Sequence, residues 1–351
     1  MNAPTDIQIS LTDAEAIKAA QPRAELVVWD GVNHVLKTAP ADRAAPHWAE
    51  LGETTSAAGV LFLCGVHRWF GRWPFRLCVY PVVLCHWLSN AVARRSSLQY
   101  LQRLQAHAGV LGRAPGRWHS LKHFATFADT LLDKLLGLGG RYPPERIHLQ
   151  RDLMLEKIAR REGGLILTAH IGCLELCQVL AEQVPGFHIT VLVHTAHAQR
   201  FNRLMQRLDP LAQVELMQVT DMGPATAVEL QRRVDAGGFV AIVGDRVPLR
   251  GGRTVPASFL GHTAQFPIGA YVLAAALGCP VYTMACLHEG EGYRVRFEHF
   301  SDRIVLPRGS RDAALTAQAE QFAAWLETQV IQAPFDWFNF FPFWDQASHG
   351  K

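Results

Sequence analysis

The sequence predicts an α/β fold in which a mixed, largely parallel sheet is flanked by helices and preceded by a membrane-associated helical segment. Short apolar runs alternate with helical patterns after residue 163, which is typical of parallel strands joined by helices. The chain has 351 residues, of which 49% are hydrophobic, so it can bury a sizeable core. Between Thr54 and Ala128 there is no Asp or Glu, and this stretch is both apolar and basic.

Residues 1–50 differ in pattern from the rest of the chain. Within residues 6–45, a helical LTDAEAIKAAQ and a strand-like AELVVWD precede GVNHVLKTAPADRAA. This run resembles the C-terminal end of an α/β-hydrolase, and the resemblance would make His34 the hydrolase histidine. The chain has no GxSxG nucleophile elbow for that histidine to activate. Residues 1–50 are therefore interpreted as a hydrolase-like appendage.

Residues 55–140 are interpreted as a basic helical region that associates with a membrane. Residues 59–88 are the most hydrophobic stretch, but Arg68, Arg72 and Arg76 interrupt it before about 20 apolar residues can form a clean span. Four aromatic residues in it suit the membrane interface: Trp69, Trp73, Tyr80 and Trp87. We expect it to contact anionic lipid headgroups or an acidic partner protein. A buried helical hairpin, a tilted span and a solvated basic face are the alternatives.

The other elements follow in chain order and make a predicted core of residues 141–345, continuous with the basic region. Helical patterns before the first strand cover 91–109, 119–138 and 145–161. Strand-like runs cover 165–170, 188–194, 214–219, 239–245, 280–289 and 293–300. The remaining helical patterns cover 172–183, 196–208, 224–236, 264–278 and 311–331. In such sheets the chemistry sits at the carboxyl ends of the strands.

The segment GGLILTAHIGCLELC, residues 163–177, ends a strand at His170 and carries Glu175 five residues later. On one continuous helix these two side chains would point about 140° apart. If Glu175 instead lies in the first turn of the next helix, its carboxylate can accept a hydrogen bond from one imidazole nitrogen. The other nitrogen is then a base that can deprotonate a hydroxyl attacking an acyl thioester. A helix N-terminus near Gly172 would also offer backbone N–H groups to negative charge.

HIGCLE matches the H-x4-D/E motif of the lysophospholipid acyltransferase superfamily, and its surroundings resemble the bacterial late lipid A acyltransferases. The resemblance covers about residues 55–345. It rests on an ordered set of segments: HAQRFNRLMQR, VGDR, RTVPASFLGHTAQFPIGAYVLAAALGCPV and PFDWFNFFPFW. The last segment, together with RWPFRLCVYPVVL, is most similar to members associated with aryl polyene lipid gene clusters. H-x4-E alone occurs by chance in many chains, whereas the ordered set is much more specific.

The resemblance implies a role for seven residues. His170 would be the general base and Glu175 its orienting partner. Asp245 and Arg246 would line the site, although the family has Asp-Gln or Asp-His where this chain has Asp245 and Arg246. An anionic acceptor group or the phosphate of the carrier's phosphopantetheine would be bound by Arg200, Arg203 and Arg207. The alternative for these arginines is a solvated basic helix face.

The implied function is transfer of a fatty or polyene acyl group from an acyl carrier protein thioester to a hydroxyl or amine of a membrane (glyco)lipid. No cofactor, metal or nucleic acid is expected. The seven cysteines form no CxxC pair and no signal peptide is recognised, so the thiols should be reduced, at the cytoplasmic face of the bacterial inner membrane. The alternatives are a non-catalytic lipid- or carrier-binding protein and a thioesterase that uses the same His–Glu pair on water.

Three further patterns in the sequence are less specific. His194 and His197 could begin a metal site, but no further ligand follows at a metal-binding spacing. Cys173 and Cys177 lie one helical turn apart beside the proposed base, where inert buried thiols are the expectation. The aromatic tail FDWFNFFPFW would wall an acyl tunnel, rest on the membrane or close the core as a strap.

Overall fold

The structure is a computed structural model that describes most of the chain beyond the first 70 residues. The described residues are 71–138, 142–150, 152–177, 187–193, 214–218, 224–247 and 252–345, together with Val66 and Trp69. Several predictions fall outside these residues: the appendage at 1–50 with His34, the arginine at 68, the histidine pair at 194 and 197, and the helix proposed for 196–208.

Three helices precede the sheet: α1 (Arg72–Ser89), α2 (Ala91–Ala108) and α3 (Arg117–Leu138). The break between α1 and α2 is at Asn90, whose side chain accepts a hydrogen bond from the backbone N–H of Ala93 and so caps α2. α1 packs along α3. Arg76 Nε and Nη2 donate to the two carboxylate oxygens of Asp129, each at 3.1 Å, and Arg72 forms an ion pair with Asp133. The arginines of α1 therefore hold two helices together.

The sheet has seven described strands in the order β1-β9-β8-β2-β5-β3-β4. Their bounds are β1 (Ile147–Gln150), β2 (Gly164–Thr168), β3 (Ile189–Val193), β4 (Val214–Gln218), β5 (Phe239–Val243), β8 (Val281–Glu289) and β9 (Gly292–Ser301). Each neighbouring pair is parallel except β8 with β9, which form an antiparallel hairpin. The predicted fold class, a mixed and largely parallel sheet flanked by helices, is therefore confirmed.

The remaining described elements cover the sheet. They are α4 (Asp152–Ala159), α5 (Pro224–Asp235), the hairpin β6 (Thr254–Phe259) with β7 (His262–Pro267), α6 (Gly269–Leu277) and α7 (Arg311–Gln332). One apolar core, containing Leu167, Phe259 and Phe322, lies between one face of the sheet and α2, α5, the β6–β7 hairpin, α6 and α7. A second core, containing Ile166 and Tyr282, covers the other face. Burial on both faces explains why the central strands are continuous apolar runs.

Three local predictions were wrong. The helix predicted for 145–161 is a 3-10 turn, then β1 and then α4, because the alternating IHLQ pairs with β9 at the sheet edge. The helix predicted for 264–278 begins only at Gly269, because residues 262–267 form β7, which pairs with β6 through a two-residue turn that places Leu260 and Gly261 at positive φ. The helix predicted to begin at residue 172 starts later: residues 171 and 172 form bridges, and helical structure begins at Leu176.

Candidate active site

His170 lies just beyond the carboxyl end of β2, at the sheet edge where the sequence predicted the chemistry. β2 is buried along its whole length, since β5 and β8 pair with its two sides. The His170 side chain nevertheless remains 21% exposed. A reactant can therefore reach the imidazole from the edge of the sheet, while the strand below it is fixed.

The hydrogen-bond partner of the imidazole is Asp245, which follows the neighbouring strand β5. His170 Nδ1 lies 2.8 Å from Asp245 Oδ1, and the backbone N–H of His170 donates to Asp245 Oδ2 at 3.1 Å. A carboxylate only accepts hydrogen bonds, so Nδ1 carries the proton and Nε2 has the lone pair. The geometry thus prepares Nε2 to act as a base.

Asp245 is held in its charged form although its side chain is only 2% exposed. Burial alone would raise the pKa of this carboxyl group. The attraction and hydrogen bond of His170, the charge of Arg246 and a hydrogen bond from Trp337 outweigh burial and lower the pKa of Asp245 to about 2. The carboxylate therefore stays ionised at neutral pH and can stabilise an imidazolium on His170.

Arg246, predicted to line the site, is buried next to Asp245. Its Nη2 donates to the carbonyl of Phe338 at 3.2 Å, and its guanidinium lies 5.2 Å from the ring centre of Phe341. It therefore anchors the chain segment after α7 and adds positive charge beside the Asp245 carboxylate.

Glu175 does not contact the His170 imidazole, which corrects the predicted pairing. Its Oε1 lies 2.7 Å from Lys134 Nζ on α3, and its Oε2 accepts a weak hydrogen bond from Cys173 Sγ at 3.8 Å. Within the described part of the chain, no hydrogen bond joins Glu175 to the His170 imidazole. The physical reason is the bridged course of residues 171 and 172, which delays the helix and brings Glu175 to face α3.

The backbone N–H groups of residues 172 and 173 already donate hydrogen bonds within the protein. The anion site predicted at a helix N-terminus near Gly172 is therefore not formed. Gly172 N–H donates to the Asp336 carbonyl at 2.8 Å, and Cys173 N–H donates to the Cys286 carbonyl at 2.9 Å. Gly172 has φ +60, and a Cβ there would lie 1.8 Å from the Cys286 oxygen. Only glycine fits this approach, so the glycine of the motif allows His170 to sit beside β8.

The segment after α7, residues 333–345, is called the strap because it crosses the site and closes it. Trp337 is its centre: the indole Nε1–H donates to Asp245 Oδ2 at 2.9 Å, and the ring packs edge-on against Tyr100 and Phe259. Phe338 N–H donates to the His170 carbonyl at 3.1 Å. Of the three roles considered for the aromatic tail, the described part acts as a strap that closes the core. The sequence did not identify Trp337 as part of the site.

A second His–Asp pair, also missed in the sequence, lies at the same edge of the sheet. Near the end of β8, His288 Nδ1 lies 2.8 Å from Asp336 Oδ1, and the backbone N–H of His288 donates to Asp336 Oδ2 at 2.7 Å. The pattern of contacts is the same as that of His170 with Asp245. The only signal for it in the sequence is a histidine at a strand end and an acid in the aromatic tail.

The other predicted site residues are not all placed. Arg200, Arg203 and Arg207 lie outside the described residues. Cys173 and Cys177 are buried, and burial raises the pKa of the Cys173 thiol well above its ordinary value. Among the residues that the structure describes, no three His, Cys, Asp or Glu side chains are grouped so that they could hold a metal ion.

The comparison with known families agrees with this geometry. The family model of the bacterial lipid A biosynthesis acyltransferases matches residues 145–346, which is more than half of the chain and contains both His–Asp pairs and the strap. The chain belongs to this family. No curated protein matches the sequence closely enough to be compared. As a bacterial lipid A biosynthesis acyltransferase, the protein is an enzyme of lipid biosynthesis, and its acceptor is a lipid.

Proposed function

We propose that this acyltransferase moves a fatty or polyene acyl group from an acyl carrier protein thioester to a hydroxyl or amine of a membrane (glyco)lipid. His170 is the general base, and Asp245 is the carboxylate that orients it. The observation that carries the proposal is the 2.8 Å contact between His170 Nδ1 and a buried, ionised Asp245. Because Nδ1 carries the proton, Nε2 is the proton acceptor.

The proposed reaction needs no covalent enzyme intermediate. Nε2 of His170 takes the proton from the acceptor hydroxyl or amine as its oxygen or nitrogen attacks the thioester carbonyl carbon. The carbon–sulfur bond then breaks, and the imidazolium returns the proton to the departing sulfur. Asp245 stabilises the imidazolium between these two steps, and a base of this kind contributes about 10²–10⁴-fold to the rate.

The test is incubation with acyl carrier protein thioesters and a membrane-lipid extract, followed by mass spectrometry of the products. The wild type should form an acylated lipid, and His170→Gln should form little or none while melting at the same temperature. Free fatty acid without acylated lipid would overturn the proposal in favour of a thioesterase. Equal activity in the wild type and His170→Gln would exclude His170 as the base.

We also propose that α1 rests on the cytoplasmic face of the inner membrane. Five apolar side chains at helical spacing form one exposed stripe: Trp73, Leu77, Tyr80, Leu84 and Leu88. Within the described residues, no single helix is long and apolar enough to cross a membrane; only α1 and α2 together pass that test, and they are bent by 94°. The stripe supports surface binding through apolar contact.

The proposed binding depends on the apolar stripe rather than on the arginines. Arg72 and Arg76 are paired with acids of α3, so they are poorly placed to attract lipid headgroups. The double change Leu77→Gln and Leu88→Gln should therefore reduce flotation with anionic vesicles. Val228→Gln with Val305→Gln is the matched control, because these side chains are as exposed but lie elsewhere. Equal flotation of both double variants would contradict the assignment.

A further inference from the structure

The strap connects the two His–Asp pairs, and each connection is a hydrogen bond to a fixed atom. The Asp336 side chain is bound by His288, and the Asp336 carbonyl accepts from Gly172 N–H at 2.8 Å. The next residue, Trp337, donates its indole N–H to Asp245. Ile171 and Trp337 also form an antiparallel bridge. A displacement of Asp336 would therefore move Trp337 relative to the Asp245 carboxylate.

Trp337 is also held from the side of the helical region. His123 is fully buried, and its Nε2 donates to the Trp337 carbonyl at 2.9 Å while its Nδ1 accepts from Ser97 Oγ at 3.0 Å. Tyr100, whose hydroxyl donates to the Pro334 carbonyl at 3.0 Å, packs edge-on against the indole. These contacts hold Trp337 from the side of the helical region, while its indole N–H donates to Asp245 Oδ2 on the other side.

We propose that Trp337 is a positioning residue of the acyl-transfer site, and that the second pair, His288 with Asp336, fixes Trp337 in place. The indole N–H holds the Asp245 carboxylate in the orientation in which its other oxygen meets His170 Nδ1. This proposal rests on the proposed role of His170 as the base. Its geometry, however, can be tested without measuring activity.

The contacts favour this role over a second base at His288. Both hydrogen bonds to the Asp336 side chain come from His288, and the backbone carbonyl of Asp336 accepts from Gly172 N–H. His288 is thus tied to the residue that precedes Trp337, whereas Asp245, the partner of His170, receives the Trp337 indole N–H.

The first test changes only the indole N–H. Trp337→Phe keeps an aromatic ring but removes the donor, and it should lower kcat about 10-fold, the size expected when a hydrogen bond to a charged group is lost. KM should change little, because Trp337 is buried and its indole N–H contacts the Asp245 carboxylate. Trp344→Phe is the matched control: it lies in the same strap, but its indole donates to the carbonyl of Phe259. Equal kcat in both variants would overturn the proposal.

The second test reads the imidazole directly. Diethyl pyrocarbonate modifies neutral imidazoles, so the pH midpoint of its reaction with His170, read by peptide mass spectrometry, reports the proton affinity of the ring. The charged groups that act on Asp245 are His170 and Arg246. In Trp337→Phe the Asp245 carboxylate loses one hydrogen-bond donor, so its negative charge stabilises the protonated His170 more strongly. The pH midpoint of the His170 reaction should therefore rise by about half a pH unit. A midpoint that is unchanged or lower would contradict the proposal.

The third test asks whether Asp336 acts through Trp337. Asp336→Asn keeps the shape but removes the charge that binds His288, and it should lower kcat by a smaller factor than Trp337→Phe. The double variant should be no slower than Trp337→Phe alone, because the two changes break one chain of contacts. Multiplying effects would show that Asp336 acts independently. If the wild type transfers no acyl group, the proposed function fails, and the labelling midpoint still decides whether Trp337 positions the pair.

Discussion

The two His–Asp pairs share one geometry but differ in their surroundings. In each, a single carboxylate binds both the backbone N–H and the Nδ1 of one histidine, which fixes the imidazole at the end of a strand. Asp245 receives a third donor from Trp337 and has Arg246 beside it, whereas both bonds to the Asp336 side chain come from His288. His288 instead rests against the Tyr293 ring at 4.2 Å. The two histidines are therefore fixed in the same way, and only the contacts around each carboxylate distinguish the two sites.

The largest expected difference between the pairs is in turnover. His170→Gln should lower kcat by about 10²–10⁴-fold, because it removes the base. His288→Gln should retain most of the activity, because it removes only an anchor of the strap. Steady-state kinetics of the two purified variants, with melting temperatures to show that both fold, make the comparison. A His288→Gln variant as inactive as His170→Gln would mean that both pairs take part in the chemistry.

A second comparison sets Asp245 against Glu175, the acid that the sequence had paired with His170. Asp245→Asn should lower kcat more than Glu175→Gln, because only Asp245 contacts the imidazole. Glu175→Gln should mainly lower stability, by about 2–3 kcal/mol, because it removes one charge of a largely buried ion pair. Kinetics and urea unfolding separate the two effects. A greater loss of kcat in Glu175→Gln would restore the pairing with His170.

The smallest expected effect concerns His123 of α3, which holds Trp337, the strap residue that lies between the two pairs. Burial lowers the pKa of His123, which donates to the Trp337 carbonyl, to about 3, while that hydrogen bond opposes the shift. The ordinary pKa is about 6.5, so the unfolded chain binds more protons between these values, and stability falls as the pH drops below 6.5. From pH 7 to pH 5, His123 should contribute a loss of about 2 kcal/mol.

Urea unfolding at several pH values checks this. The free energy of unfolding of His123→Gln should depend less on pH than that of the wild type. His119→Gln is the control, since His119 is only half-buried at the start of α3. Equal slopes in the wild type and His123→Gln would mean that another group controls the acid sensitivity of the strap.

Much of the fold was predictable because its signals are local. The alternation of apolar runs and helices predicted the sheet, and a histidine at the end of an apolar run predicted a site at the edge of that sheet. The four-residue β1 and the β6–β7 hairpin were missed because their short patterns acquire strand character only through pairing. The delayed helix after His170 depends on a bridge to Trp337, which is far away in the sequence.

The partner of His170 was predicted less well because it depends on strand order. Asp245 was assigned to the site, but its direct contact with His170 requires β5 to lie beside β2, and the sequence does not specify that order. Glu175 was preferred because it is near in the chain. Trp337 and Asp336 lay in the aromatic tail that the sequence did single out, but a tail rich in aromatic residues predicts packing and not one hydrogen bond.

The position of the strap in the chain also affects when the site is completed during synthesis. A ribosome makes residues 333–345 after every other described element, so the sheet edge with His170 and Asp245 emerges before Trp337 does. Until then the Asp245 carboxylate has one donor fewer, and the surfaces that the strap covers face solvent. The hydrogen bond from Trp337 to Asp245, a contact between residues distant in sequence, can therefore form only after the rest of the described fold has been synthesised.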